Sequence, residues 1–375
     1  MNSELAPKYI RQINGKYVLW FEYSNRYILL EEETMHLMDI YFDSQSKDEF
    51  ISSLKALNTK NYYRLFDEID QLIIESREYN PPKINENISL INPKGNWITK
   101  NYNVDSYCFR INYSIKNIQK ILHPQIAHLE TKNSNGNFTE FHVALNDDYL
   151  HLYKNLNFCN SFPKSQFHLL QGQFAMELLC ALTQSTEDDW LGTFHASTVA
   201  NNNEAIMLIG ESGKGKSTLS AILMSNGFKL LADDFTPVMA KSKLIYHYPS
   251  AVSIKEGSFE ILQSLIDNFH DFQAFKSLGS KGSIKYIAPN DKSYQKPLPC
   301  NKIVLVNYED SAPTLLEETP IETILNTLIP DSWLSPKAEN AEHFLNWLET
   351  LTFYKLTYSN NIEVIEIFKD LFKTN

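Results

Sequence analysis

The segment Ala205-Ile-Met-Leu-Ile-Gly-Glu-Ser-Gly-Lys-Gly-Lys-Ser-Thr218 decides how the C-terminal half of this chain folds. Its first five residues are an apolar run of strand length, and residues 216–226 have the pattern of a short helix that Gly227 ends. The eight residues from Gly210 to Ser217 match the Walker A pattern G-x-x-x-x-G-K-S without a mismatch. The sequence therefore predicts a strand, a glycine-rich loop and a helix, the context in which this pattern binds phosphate.

The residue types in this loop suit the binding of ATP and Mg²⁺. Only 12 of the 375 residues are glycine, so their clustering here is informative. Glycines let successive backbone N–H groups point at phosphate oxygens, and the helix adds the positive end of its dipole. We expect the Lys216 ammonium to reach the β- and γ-phosphates and the Ser217 hydroxyl to ligate Mg²⁺. The predicted nucleotide-binding residues are Gly210, Glu211, Ser212, Gly213, Lys214, Gly215, Lys216, Ser217 and Thr218.

Two adjacent carboxylates, Asp233 and Asp234, follow the next apolar run, residues 229–232. In parallel α/β sheets the C-terminal ends of the strands border the ligand crevice. Carboxylates at that position can bind Mg²⁺ or accept a proton from an incoming hydroxyl, and a helix cap or a turn is the structural alternative. Because neighbouring strand residues point to opposite faces, we expect the two aspartates to have different roles.

Three segments together resemble the catalytic domain of HPr serine kinase/phosphorylase. They are Phe194-His-Ala-Ser-Thr-Val199, the loop, and Leu230-Leu-Ala-Asp-Asp234. The resemblance is closer still to the HPr-kinase-like serine kinases found beside ribosomal peptide-modification enzymes. It covers about residues 191–375 and implies an α/β P-loop kinase domain of the HPr-kinase/PEP-carboxykinase type. It also implies that Asp233 is the catalytic base, that Asp234 is a metal ligand or a neighbouring acid, and that His195 lies near the base.

The chain departs from the HPr kinases in its later segments. Their Glu-Arg-Gly-rich loop has no clear counterpart here, which argues against HPr itself as substrate and against the phosphorylase reaction. Lys255, Lys281 and Lys285 lie in segments where such kinases often carry basic residues towards substrate or phosphate. Isolated lysines, however, are usually solvated surface residues.

Residues 1–82 predict a small winged-helix-like α+β module. Residues 16–23 and 27–30 have the pattern of a β-hairpin, and helical patterns follow over residues 32–42, 47–57 and 62–74. The order is similar to that of the PqqD-like peptide-recognition domain, with a generic winged helix as the alternative. The resemblance implies that the leader of a precursor peptide binds by adding a strand to an exposed sheet edge.

Residues 83–190 predict a β-rich lead-in to the catalytic domain. A linker begins at Asn80-Pro-Pro, strands are expected over residues 107–113, 138–145 and 149–153, and residues 165–184 predict a mostly buried helix. His142 and His151 lie on two of these strands, but the sequence offers no third ligand. We therefore expect no metal site there.

Composition excludes several classes of protein. The chain has 34 Lys and Arg against 45 Asp and Glu, a net charge of −11, which argues against a dedicated nucleic-acid binder. A mean hydropathy of −0.32 and the lack of a long apolar run predict no membrane span. The first eight residues lack the pattern of a secretory signal, and the four cysteines form no C-x-x-C pair. Both features predict a cytoplasmic protein.

The sequence thus predicts an ATP- and Mg²⁺-dependent kinase that phosphorylates a Ser or Thr hydroxyl of a ribosomally made precursor peptide. Two alternatives stay open. One is a small-molecule kinase of the same fold, and the other is a non-catalytic switch or scaffold that binds ATP and a partner peptide. The substrate's identity, the nucleotide preference and any homo-oligomer are left undecided by the sequence.

Overall fold

The computed structural model describes residues 5–57, 61–79, 95–132, 138–276, 282–289, 291 and 293–373. Within these residues, four β-sheets and ten α-helices form a mixed α/β architecture. The predicted linker at residues 80–87 and Lys281 lie outside the described residues, so both remain predictions. Over the same ranges, none of the helices combines the length and the apolar character needed to cross a membrane.

The N-terminal segment forms a three-stranded antiparallel sheet followed by three helices. The elements are β1 (Tyr9–Ile13), β2 (Lys16–Phe21), β3 (Arg26–Leu30), α1 (Glu32–Asp43), α2 (Lys47–Ala56) and α3 (Tyr62–Arg77). The predicted hairpin is β2–β3, and the three helices lie where their apolar spacing predicts them. β1 was not predicted; it pairs with β2, so that β2 is the central strand.

This small sheet is covered on both faces. Leu19, Phe21 and Leu30 pack with the three helices in one core. Val18 and Trp20, whose side chains point the other way, join the core of the C-terminal segment. The sheet is therefore held between its own helices and the rest of the chain, and β1 and β3 are its two edge strands.

The middle segment is a six-stranded sheet with two helices. The elements are β4 (Ile98–Val104), β5 (Tyr107–Tyr113), α4 (Lys116–Ile126), β6 (Glu130–Thr131), β7 (Phe138–Asn146), β8 (Tyr149–Lys154), β9 (Asn157–Pro163) and α5 (Phe167–Thr183). The strand order is β6-β4-β5-β7-β8-β9, and α4 and α5 share a core with this sheet. Trp190 and Tyr248 join the same core, so the middle and C-terminal segments are packed together.

The C-terminal segment holds the largest sheet and the remaining helices. The elements are β10 (Trp190–Phe194), β11 (Ser197–Ala200), β12 (Ala205–Ile209), α6 (Lys216–Ser225), β13 (Lys229–Ala232), β14 (Thr236–Met239), β15 (Leu244–Ile245), β16 (Val252–Lys255), α7 (Phe259–Leu265), β17 (Ala274–Lys276), β18 (Ser283–Ile287), β19 (Leu298–Tyr308), β20 (Leu315–Glu318), α8 (Ile321–Leu328), β21 (Trp333–Leu334), α9 (Ala338–Leu348), β22 (Thr352–Tyr358) and α10 (Asn361–Leu371).

Three strands of the large sheet pair in parallel, and one of them, β12, is fully buried. β12 pairs in parallel with β19, and β19 pairs in parallel with β22. All five residues of β12 are buried, as expected for a strand covered on both faces. The three antiparallel strands β16, β18 and β17 form a separate small sheet. The predicted strand, loop and helix at residues 205–226 are present with nearly the predicted bounds.

Candidate functional site

Strand direction brings the predicted site residues to one edge of the large sheet. β11 lies between β12 and β13 and runs antiparallel to both. The chain therefore leaves β12 towards Gly210 and leaves β13 towards Asp233 at the same edge where β11 begins with Ser197. The prediction that the glycine loop and the two aspartates meet at strand ends agrees with this topology.

At two glycines of the loop, a side chain would clash with neighbouring atoms or strain the backbone. A Cβ on Gly210 would lie 2.7 Å from the carbonyl oxygen of Val306 on β19, closer than real Cβ atoms come to such an oxygen. Gly215, the residue before α6, has a φ of 95° and lies close to Tyr308 and Tyr358. The loop is thus pressed against the strand ends, and its tight path needs glycine at these two positions.

Lys216, the first residue of α6, folds its side chain back over the loop. Its ammonium donates a hydrogen bond to the carbonyl oxygen of Gly210. The residue is 6% exposed, and burial lowers the pKa of its ammonium, an effect that the negative charges of Asp234 and Asp233 oppose. A buried cation and the N-terminus of a helix lie together beside the glycine loop, and both favour the binding of an anion there.

Asp233 is the most enclosed group of the site. Its Oδ1 accepts hydrogen bonds from the Ser197 hydroxyl at 2.5 Å and from the Ser217 hydroxyl at 3.1 Å. Its Oδ2 accepts the backbone N–H of Ser253 at 2.9 Å. Both carboxylate oxygens are therefore occupied by donors from β11, α6 and β16, which fix the orientation of the side chain.

The buried carboxylate of Asp233 interacts with the ammonium of Lys216 from beyond ion-pair distance. Among the residues that the structure describes, no Lys, Arg or His forms an ion pair with it. Burial raises the pKa of this carboxyl, and the neighbouring Asp234 raises it further, although the bonds from Ser197, Ser253 and Ser217 act in the opposite direction. A buried carboxylate in this condition would be stabilised by a cation next to it.

Asp234 occupies a different environment only one residue away. It is exposed, and its backbone has a φ of 60°, which turns the side chain away from the direction that a regular strand would give it. Its Oδ2 accepts a hydrogen bond from the Ser253 hydroxyl at 3.1 Å, and its Oδ1 lies 3.9 Å from Nε2 of His195. Asp234 therefore has a carboxylate oxygen open to a ligand, and His195 lies beside it.

Two of the lysines named from sequence, Lys255 and Lys285, are among the described residues, and Lys255 reaches the loop. Lys255, at the end of β16, donates a hydrogen bond to the Ser212 hydroxyl at 2.8 Å. Lys285 lies elsewhere: its ammonium donates to the carbonyl oxygen of Phe269 at 2.9 Å and lies over the ring of Phe259. Lys255 therefore places a positive charge beside the glycine loop.

These groups line one side of a cleft of about 1350 Å³. Three further residues enter it that sequence reasoning did not identify, namely Tyr286, Asp331 and Trp333. Burial raises the pKa of Tyr286 to about 12, and Asp234 and Asp233 raise it as well, so this phenol is neutral near pH 7. The far side of the cleft is formed by α4, α5 and the end of β9 from the middle segment.

The predicted residues are thus gathered in one place, with partners that their own segments do not reveal. Ser197 and Ser253 complete the surroundings of Asp233; Ser197 lies in the segment that begins at Phe194, and Ser253 lies two residues before Lys255. Within the described ranges, no three His, Cys, Asp or Glu side chains cluster so as to hold a metal ion by themselves. A divalent cation at this site would need oxygen ligands from a bound molecule as well as from the protein.

Comparison with known proteins finds similarity at the level of solved structures. No family model matches the chain, and no curated protein matches it. Among solved structures, the chain is similar to the structure of the HPr(Ser) kinase/phosphatase from Coxiella burnetii, with 11% identity over 48% of this chain and 88% of that chain. The TM-score is 0.25, so the function has to be inferred from the geometry of the site itself.

Proposed function

We propose that this chain is a P-loop kinase that uses ATP and Mg²⁺ to phosphorylate a Ser or Thr hydroxyl. The observation that carries the proposal is the pairing of two parts of the site. Ser217 follows the lysine of the Walker A pattern, and its hydroxyl donates a hydrogen bond to the buried carboxylate of Asp233. The carboxylate of Asp234 is exposed and faces the same cleft. A phosphate site and a candidate base therefore lie side by side.

The donor atoms around Asp233 suit Mg²⁺. The ion prefers oxygen ligands and keeps several sites for water or phosphate oxygens. The Ser217 hydroxyl and the Asp233 carboxylate would hold it, and the lack of a direct ion pair to this buried carboxyl among the described residues supports that assignment. Bound there, Mg²⁺ would neutralise charge on the β- and γ-phosphates.

This assignment exchanges the roles that the resemblance implies for the two aspartates. Asp233 is 5% exposed and is held beside the loop by Ser197, Ser217 and Ser253, so a substrate hydroxyl has little access to it. Asp234 is exposed to the cleft and has His195 beside it. We infer that Asp234 takes the proton and that Asp233 is the metal ligand.

In the transfer step, the acceptor oxygen forms a bond to the γ-phosphorus as the bond from that phosphorus to the β,γ-bridging oxygen breaks. The proton of the acceptor hydroxyl passes to Asp234, and ADP leaves with the bridging oxygen. Lys216 and the loop N–H groups hold the phosphate charge, and Lys255 adds a second cation at the loop. His195 would orient the Asp234 carboxylate.

The proposed partner is a precursor peptide whose leader pairs with the N-terminal sheet. Both faces of that sheet are already buried, so an added strand has to pair at an edge, β1 or β3. The module is also bound to the C-terminal segment: Arg11 pairs with Glu342, and the Asn25 amide donates to the carbonyl oxygen of Leu334 at 2.9 Å. Deleting the module would expose an apolar face, so it is better tested in the full chain.

The experiment that tests kinase function is phosphoryl transfer in solution. The full chain is incubated with Mg·ATP and the short peptides encoded beside its gene, and phosphoserine or phosphothreonine is detected by ³¹P NMR. We expect a phosphoester with wild type and none with Lys216→Ala. Nucleotide binding without a phosphoester on any peptide or small alcohol would favour the non-catalytic switch.

A further inference from the structure

The helix that forms the far side of the cleft has a glycine in its middle. Gly172 lies in α5 and lines the cleft. Glycine inside a helix costs stability compared with alanine, so it usually has a packing reason. Here no neighbour requires it, because no heavy atom lies within 4 Å of the position its Cβ would take. Gly172 is exposed and lines the cleft, so a larger side chain at this position would enter open space there.

The cleft is lined by apolar and aromatic residues as well as by polar ones, among them Gln171 and Gln173 next to Gly172. We name as the acceptor wall the cleft-lining residues Phe162, Phe167, Gly172, Met176, Phe235 and Trp333. Its four aromatic residues are only partly buried, so their rings keep surface that a ligand can cover. Phe235 directly follows Asp234 and packs against Tyr248 with ring centroids 4.7 Å apart. The apolar surface therefore begins next to the proposed base.

Charge divides the cleft into two parts. The side with the glycine loop carries the charged side chains of Lys216, Lys255, Asp233 and Asp234. Each of these side chains has a hydrogen-bond partner on that side. Among the described residues of the middle segment that line the cleft, Lys120 and Glu187 have opposite charges, and apart from His168 the others are neutral. A ligand on that side meets aromatic rings and side-chain amides, which favours a neutral apolar group.

We propose that the acceptor of the phosphoryl group binds between α5 and Asp234, and that its hydroxyl is carried by a neutral apolar or aromatic body. The inference rests on the proposed kinase function. It assigns to the middle segment a part in substrate binding, since α5 supplies the side of the site opposite the phosphate loop. The same chemistry could come from a hydrophobic stretch of a peptide or from a free aromatic alcohol.

The test is to fill the space at Gly172 in the full chain. Gly172→Trp places an indole in the cleft, Gly172→Ala is the matched control that adds only a methyl group, and Ser52→Trp puts the same indole on the exposed side of α2. Tryptophan and alanine both have higher helix propensity than glycine, so melting temperatures of the two Gly172 variants should not fall. The probe is N-phenyl-1-naphthylamine, a neutral dye whose fluorescence rises in apolar sites. Mg·ATP affinity is measured in parallel by calorimetry.

We expect the dye to bind wild type, Gly172→Ala and Ser52→Trp alike, and to bind Gly172→Trp about tenfold or more weakly, while Mg·ATP affinity is unchanged in all four. Acetyl-Phe-Ser-Phe-amide or 2-phenylethanol should displace the dye, and the one that does so identifies the source as peptide or free alcohol. Acetyl-Asp-Ser-Asp-amide should not. The proposal is overturned if the dye does not bind wild type, if Gly172→Trp binds it normally, or if the acidic peptide displaces it equally well. Absence of Mg·ATP binding in wild type would instead remove the proposed kinase function and leave the dye result to be judged separately.

Discussion

The hydroxyl of Ser217 lies 3.1 Å from the carboxylate of Asp233, and this bond joins the helix after the glycine loop to the end of a strand 16 residues further along the chain. Asp234, the next residue, points away from that bond and into the cleft. The two adjacent aspartates thus meet different surroundings, and each has its own predicted phenotype.

Substitution of each aspartate separates metal binding from proton transfer. Asp233→Asn should raise the Mg²⁺ concentration needed for nucleotide binding by about tenfold or more, because the anionic ligand is lost. Asp234→Asn should bind Mg·ATP normally and lower turnover by about 10²–10⁴-fold, the range of a lost general base. Asp147→Asn, in an exposed turn, is the control. Metal-dependent calorimetry and initial rates check both, and the reverse pattern would return the base to Asp233.

The edge strands of the N-terminal sheet should be protected when a peptide binds. Hydrogen exchange of the full chain, with and without a precursor peptide, should show slower exchange of amides in β1 or in β3, since an added strand bonds the free edge. The central strand β2 is an internal control, because it pairs on both sides already. Slowing confined to α1–α3, or no slowing in this module, would argue against strand addition.

The buried His247 predicts a loss of stability in mild acid. Burial lowers its pKa to about 4, and its Nδ1 accepts the N–H of Gln295 at 3.2 Å. In the unfolded chain His247 binds a proton as the pH falls through about 6.5, whereas in the folded chain it does so only near pH 4. The resulting stability is complete above about pH 6.5 and is lost as the pH falls through that window, by about 3 kcal/mol.

Urea unfolding across this pH range measures the effect. His247→Gln keeps a neutral acceptor and has no proton to bind, so its free energy of unfolding should fall less than that of wild type over the same window. Parallel curves for the two proteins would show that other groups cause the acid sensitivity. The other titratable groups contribute equally to both proteins. The difference between the two curves of unfolding free energy against pH therefore isolates the effect of His247.

Local patterns were enough to predict much of the fold. The strand and helix around residues 205–226, the hairpin at residues 16–30 and the helices α1–α3 agree with their apolar spacing. β1 was missed because its inward-facing Arg11 breaks the apolar alternation, and its partner Glu342 is remote in sequence. The helix α4 was missed because Pro124 lies within its last turn, where proline lacks the backbone N–H that a helix uses and so reads as a helix breaker.

Sequence reasoning named the residues of the candidate site but not the partners that surround them. Motif spacing identified Lys216, Ser217 and the aspartate pair. It could not show that Ser253, carried by another sheet, completes the surroundings of Asp233, because that contact depends on how β16 packs beside β13. The acceptor wall was not predicted for the same reason. Its residues are far apart in sequence, and only the fold brings them into one cleft with the glycine loop.

The most direct test of the central claim, that the glycine loop is a Mg·ATP site, is calorimetric titration of Mg·ATP into the wild-type chain and Lys216→Ala. The account predicts saturable binding to wild type at one site and an affinity at least about tenfold lower in the variant, since the buried ammonium is lost from the phosphates. Lys241→Ala, which removes an exposed lysine, should bind like wild type. Equal affinity of Lys216→Ala and wild type would contradict the claim and place any nucleotide elsewhere.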